Sequence, residues 1–421
     1  MRKRGRKYRR FIALFLSVAM AVSGMGMSAF AAEESVGEAP IFEYTSGDFS
    51  ANVPLETLQY LSASDEAALN EKMVAYVPSE DSMLKNKAES FYYYEHLDGL
   101  SREMYDIMLQ VAADPTDEGN VGFMMTDLDP SGDEFHELFS MAYRALCFDH
   151  PELFWLYSME ETSIGYYSQA VPMNGFYYVY FCVTDLYDAF ETVMTEFYEA
   201  ADDFLADIDT SVSEYDIVRQ IHDKLIDLVN YNDPVCNQIQ VGNSQDLGHT
   251  AYGALVKDSS GIANYPVCDG YSLAFEYLLQ QCGINVAFIG GYGGGTEETA
   301  GGHAWNIVEV DGEWYEVDCT WDDQRNALDD VAEESAEYLY WSEALDDPYY
   351  GELAEHYLFL ISTDLMTHFP SGEEYEYTTQ DQMYLINLCP ECVHLRMGYD
   401  GDESYDASIM QLAPVATANF Q

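Results

Sequence analysis

The dipeptide Asp311-Gly312 restricts the fold of this chain more than any other feature. It separates two runs of alternating character, Trp305 to Val310 and Trp314 to Asp318. A two-residue turn with both centres at positive φ accepts Asp-Gly with little strain, and its twist matches that of the strands it joins. Closing the hairpin in this way sets position 305 opposite 318. His303, two residues further along the same face, then becomes the diagonal neighbour of Asp318, within side-chain reach. A slip of one residue would turn the two side chains to opposite faces, so the pairing depends on that register.

A second local pattern lies upstream. Asp258 to Pro266 is rich in Gly, Ser, Asn and Pro and reads as loop, while Leu273, Ala274, Tyr277 and Leu278 keep helical spacing up to Gly283. Cys268 therefore stands at or just before a helix N-terminus. Backbone N–H groups and the helix dipole there favour an anionic sulfur, and the same N–H groups can hold an oxyanion. Asp318 would fix the tautomer of His303 and stabilise its cation, and His303 would take the thiol proton and return it to a leaving group. A buried Cys or a His–Asp pair in a hairpin, taken singly, is most often structural. The three together point to nucleophilic catalysis.

The segments that hold them are Pro266-Val267-Cys268-Asp269-Gly270-Tyr271-Ser272, Gly301-Gly302-His303-Ala304-Trp305-Asn306 and Val317-Asp318-Cys319-Thr320-Trp321-Asp322-Asp323. With His222-Asp223, His249 to Leu255 and Tyr357 to Ser362, they resemble the transglutaminase-like superfamily in its secreted bacterial form. The resemblance implies an α+β, papain-like core: a Cys-bearing helix packed on an antiparallel sheet that carries His and Asp. It implies Cys268 as nucleophile, His303 as acid/base, Asp318 as its orienter, and Tyr252 and Trp305 near the site as substrate-binding candidates. No cofactor and no metal ligand is assigned, and a need for Ca²⁺ is left open. Cys319 departs from the pattern, since an apolar or small residue is common next to the Asp; a disulfide from Cys319 would constrain the site.

Helical spacing also runs through Leu100 to Val111, Phe135 to Leu146 and Leu186 to Ile208, and again over 214–230. Between the first two, Asp114 to Gly132 reads as loop. The aromatic runs Leu153 to Tyr157 and Phe176 to Phe181 read as a pair of strands. The expected organisation is a signal peptide over 1–31, a polar leader over 32–52, a mainly helical domain with a β-hairpin over 53–210, the catalytic domain over 211–370 and a tail over 371–421. Gly290 to Gly295 reads as a mobile loop beside the site. Cys389-Pro390-Glu391-Cys392 with His394 is half a zinc site at most, and a local disulfide or free thiols is the preferred reading. Asp322-Asp323 and Asp329-Asp330 lack EF-hand spacing, and His222 reads as a packed helix residue.

Charge settles the partner classes. The chain carries 75 acidic and 17 basic residues, a net charge of −58, and seven of the basic residues fall in the first ten positions. That basic start, the apolar stretch Phe11 to Val22 and Ala29-Phe30-Ala31 make an export signal with a cleavage site. The remaining surface repels phosphate backbones and anionic membranes, which excludes nucleic-acid binding and membrane association after cleavage. Hydrophobic residues at 48%, with 35 Tyr and 21 Phe, argue against charge-driven disorder. The expectation is a secreted, extracellular cysteine acyl-transfer enzyme acting on peptide or protein amides, with cationic substrates drawn by its field. The alternative is a non-catalytic binding or scaffold module on a degenerate core of the same fold. The sequence leaves the oligomeric state open.

Overall fold

A computed structural model describes residues 86–88, 90–113, 121–156, 164–168, 171–183, 190–231, 247–257, 266–294, 301–325, 339, 342–343, 345–367, 393–397 and 405–420. The signal-like segment, the polar leader and Cys389 to Cys392 lie outside these residues. Among those described, no helix is long and apolar enough to cross a membrane. The chain divides into two compact units.

The first unit holds residues 97–146 and 155–190. Its helices are α2 (Gly99–Ala113) and most of α3 (Asp133–Asp149), and its strands are β1 (Val121–Thr126), β2 (Ile164–Ser168) and β3 (Tyr177–Val183). The sheet is antiparallel with order β1-β3-β2. Met104, Ile107, Met108 and Val111 form the buried stripe of α2, as their spacing predicts. Two expectations change here. Residues 121–126, inside the stretch 114–132 expected as loop for its Pro and Gly residues, form β1; Gly122 is there because a Cβ would lie 2.2 Å from Ile107 Cγ2 of the helix above. The aromatic run at 153–156 is a buried turn, with Leu153 N–H donating to His150 O, and not a strand. Its unbroken apolar character reflects burial of the turn rather than a pleat.

The second unit takes residues 85–96, 147–154 and 191–421. It contains α1 (Tyr92–His96), nearly all of α4 (Phe190–Leu205), α5 (Glu214–Leu228), α6 (Ala251–Leu255), α7 (Cys268–Gln281), α8 (Cys319–Asp322), α9 (Tyr350–Ala354), α10 (Thr363–Thr367) and α11 (Tyr405–Met410). Its strands are β4 (Val286–Gly294), β5 (Gly301–Val310), β6 (Glu313–Val317), β7 (Phe359–Ile361) and β8 (Val393–Arg396), in the order β7-β6-β5-β4-β8 with every pairing antiparallel. The expected α+β core, a Cys-bearing helix on an antiparallel sheet, is present. From Asp269 to Gln280 every residue of α7 is buried, as befits a helix enclosed on all sides.

The division between units differs from the boundary expected at 210. The stripe of α4 belongs to the second unit because Phe197 packs on Phe154 and Tyr277, with ring centroids 5.4 and 4.9 Å away. The expected tail is also part of this unit. β8 completes the sheet, Phe420 N–H donates to Leu360 O, and its ring stacks on Tyr215.

The glycines of β4 correct a further expectation: Gly290 to Gly294 are paired strand, not loop. They allow close approach from neighbouring strands. A Cβ on Gly291 would lie 2.2 Å from Leu395 O, and one on Gly293 would lie 2.8 Å from the His303 ring.

Candidate active site

The hairpin closes through Asp311 and Gly312, at φ 53° and 83°. Its register pairs Val310 with Glu313 and Asn306 with Val317, the alignment that a two-residue turn requires. His303 and Asp318 consequently meet: His303 Nε2–H donates to Asp318 Oδ2 at 2.7 Å. The His303 imidazole also hydrogen-bonds Cys268.

Cys268 is the first residue of α7 and is half-buried. Val267, the N-cap, contributes no side-chain bond to the first N–H groups of the helix. The helix start is fixed by backbone instead. Val267 N–H donates to Gly248 O at 3.0 Å, and a Cβ on Gly270 would lie 2.4 Å from that same oxygen. Asn306 of β5 ties the sheet to the helix, donating from Nδ2 to Ser272 O at 3.1 Å.

Asp318 is fully buried and accepts four hydrogen bonds. Oδ1 caps α8, taking Thr320 N–H at 3.0 Å and Trp321 N–H at 3.1 Å. Oδ2 takes His303 and, at 2.8 Å, His394 Nε2–H from β8. Burial opposes its charge, but the His303 charge and the hydrogen bonds from both imidazoles hold its carboxyl well below the usual range. His303 is the complement. Burial works against its cation, and the charge and hydrogen bond of Asp318, with help from Cys268, outweigh it and raise the imidazole to about 10. His394 goes the other way: burial lowers it despite Asp318, so it is a neutral donor at neutral pH. The three groups thus form an ion pair, His303 with Asp318, steadied by an uncharged second imidazole.

His394 is the site residue that sequence reasoning missed. In the sequence it stands out only as a neighbour of Cys389 and Cys392. It reaches Asp318 from 76 residues away, and no local pattern marks that contact. Trp321, too, adjoins the site: its half-buried ring packs on His303 and His394 at 5.5 and 4.8 Å.

Tyr252 and Trp305, the substrate-binding candidates, are both buried, and Trp305 lies beside His303. Trp305 is 1% exposed, its Nε1–H donates to Glu316 Oε2 at 2.8 Å, and its ring stacks beneath His303 at 5.9 Å. Tyr252 is 8% exposed and packs on Phe154, its hydroxyl donating to Glu196 Oε2 at 2.8 Å. Both are placed as packing groups, because the sheet and α6 turn these positions inward. Cys319 is a free thiol, fully buried, and burial with the nearby Asp322 and Asp318 charges pushes it well up. It makes no disulfide that could constrain Asp318. Asp322 and Asp323 spend oxygens on internal donors, Leu358 N–H and the Tyr271 hydroxyl at 2.9 Å each.

Comparison with known proteins bears on this arrangement. The family model for the transglutaminase-like superfamily matches residues 202–319, which include Cys268, His303 and Asp318 and stop short of His394. The kyphoscoliosis peptidases of Mus musculus and Homo sapiens are each 38% identical over 61 residues, 13% of this chain and 9% of theirs. The chain therefore spans only a small part of the length of these curated relatives. A crystal structure of a TGase overlaps 38% of this chain and 45% of its own at 16% identity, with a TM-score of 0.24. Over residues 202–319, then, this chain matches the transglutaminase-like superfamily.

Proposed function

We propose that this protein is an exported cysteine-dependent acyl-transfer enzyme acting on peptide or protein amides. The observation that carries the reading is the continuity of one hydrogen-bonded line, Cys268 to His303 to buried Asp318, beginning at a helix N-terminus. In the proposed reaction the proton already rests on His303, and Cys268 Sγ attacks the amide carbonyl carbon as the anion of that pair. N–H groups at the start of α7 hold the oxyanion. The C–N bond then breaks, the amine leaves with the proton from His303, and a thioester remains on Cys268. Either a second amine attacks the thioester, giving a crosslink, or water does, giving hydrolysis. Asp318 keeps the imidazole oriented and its cation stabilised throughout.

The basic-then-apolar start of the chain and Ala29-Phe30-Ala31 support export. The net charge of −58 supports a preference for lysine-rich substrates.

The test is a glutamine-containing peptide incubated with the protein and a small primary amine, followed by mass spectrometry. Incorporation of the amine marks transfer and cleavage without incorporation marks hydrolysis; both must vanish in Cys268→Ala. In parallel, iodoacetamide should label Cys268 more slowly in His303→Ala than in wild type. No reaction with any amide, together with equal labelling in both proteins, would leave a binding module as the surviving reading.

A further inference from the structure

A second set of ligating groups lies in the same unit, outside the Cys268, His303, Asp318 and His394 group. His222 and Asp223 project from α5, and His356 lies just after α9. His222 Nδ1 is 3.0 Å and His356 Nε2 is 2.7 Å from one and the same oxygen, Asp223 Oδ1. The three atoms lie within 4.8 Å of one another.

The far side of each ring decides what the near side can hold. His356 Nδ1 faces Glu352 O at 2.7 Å. A carbonyl only accepts, so that nitrogen carries the hydrogen and the neutral tautomer turns the lone pair of Nε2 toward Asp223. His222 Nε2 faces Asp322 Oδ2 at 3.2 Å, and Asp322 is itself fully buried with its other oxygen taking Leu358 N–H. Neutral His222 with its hydrogen on Nε2 likewise turns a lone pair on Asp223. Two imidazole lone pairs and a carboxylate oxygen then converge with nothing positive between them. Protonation of the rings, whose centroids are 5.1 Å apart, relieves this, and so does one divalent cation.

We propose that His222, Asp223 and His356 bind a zinc ion. Two imidazoles and one carboxylate oxygen are a zinc donor set, and Ca²⁺ or Mg²⁺ would take oxygens alone. The outer groups are those that accompany such ligands, a carboxylate on one imidazole and a backbone carbonyl on the other. Zinc ligands about 2.0–2.1 Å from the metal stand slightly further apart than hydrogen-bonded atoms, so the cluster must open by a few tenths of an ångström. The side chain of Asp223 is 40% exposed and that of His356 15%, which leaves a route in and room for water as the fourth ligand. Arg219 lies on the other oxygen of Asp223 and on Glu352, leaving Oδ1 to the metal. A zinc ion here would join α5 to the turn after α9. Through Asp322 it would also brace α8, whose first turn Asp318 caps. This inference does not depend on the acyl-transfer reading.

The test uses the full chain, stripped with a chelator and titrated with CoCl2, then with ZnCl2. Wild type should show the strong visible d–d bands of tetrahedral Co²⁺ at one equivalent, and Zn²⁺ should abolish them. His356→Ala, and the near-isosteric Asp223→Asn if the first fails to fold, should weaken binding by more than about tenfold, the least that loss of even an outer-shell partner costs. His394→Ala should leave it unchanged, since that imidazole belongs to the other cluster. The proposal is overturned if wild type gives no such bands and retains no zinc, if binding survives both ligand substitutions, or if His394→Ala abolishes it.

Discussion

At the residue scale, Asp318 Oδ2 is shared by two imidazoles of opposite character. His303 is held as a cation and His394 as a neutral donor. His394 is fully buried, and its Nδ1 has no partner among the described residues. An orphaned nitrogen carries a desolvation cost, which is easier to understand if the Nε2–H bond to Asp318 matters. On the acyl-transfer reading His394 is therefore a positioning residue. Truncating it to Ala removes one of the bonds that hold the Asp318 carboxyl down. The acid limb of Cys268 alkylation against pH should move upward, because Asp318 then takes a proton at higher pH and releases its grip on His303. His394→Asn, whose amide can donate in the same direction, should restore part of the profile. An acid limb that stays in place while thermal stability falls would reduce His394 to packing.

At the element scale, α7 shows what the sequence could and could not tell. Its start at Cys268 and its stop near Gly283 were legible because loop, periodicity and C-terminal glycine are local signals. The β5–β6 register was legible for the same reason: two residues of turn fixed it. His394 was not, since β8 joins the sheet from far along the chain and no turn chemistry announces it. The role of Gly291 and Gly293 was illegible too, because a glycine placed for close approach looks the same in sequence as one placed for a loop.

The chemistry of the buried side of α7 was equally hidden. Glu276 is fully buried, and its Oε2 has no partner among the described residues. Burial above all, then the Asp149 and Glu152 charges, pushes its carboxyl well up. In the fold it keeps a proton that the unfolded chain gives up at ordinary carboxylate pH. Such a group supports the fold fully below its unfolded pKa and progressively less as pH climbs toward its folded one. Gln has nearly the same shape and no proton to lose. The stability of Glu276→Gln relative to wild type should therefore rise steadily between about pH 5 and about pH 8. Urea denaturation at several pH values checks this. A difference that does not change with pH would mean that Glu276 is ionised in the fold.

For the whole molecule, the dominant fact is the imbalance of 75 acidic to 17 basic residues. Among the described residues several cations already have acidic partners: Arg219 with Asp223 and Glu352, Lys224 with Asp207, Arg325 with Asp346 and Glu355, and Arg396 with Glu316. Few are left to offset the remaining carboxylates, and self-repulsion weakens the compact state. Salt shortens its reach, from about 10 Å at 0.1 M to about 3 Å at 1 M. Melting temperature should therefore rise as NaCl increases from about 0.05 to about 0.5 M, by roughly 2–4 °C for each kcal/mol of repulsion removed in domains of 150–250 residues. The scan belongs in a chelator, so that metal binding does not add to it. On the acyl-transfer reading, the same screening should slow reaction with a lysine-rich peptide, because the field that strains the fold would also gather cationic substrates. Stability and turnover moving in opposite directions with salt would tie both to a single cause. A melting temperature that stays flat or falls would mean that the carboxylates lie too far apart to repel one another. A peptide rate indifferent to salt would remove charge from the selection of substrate.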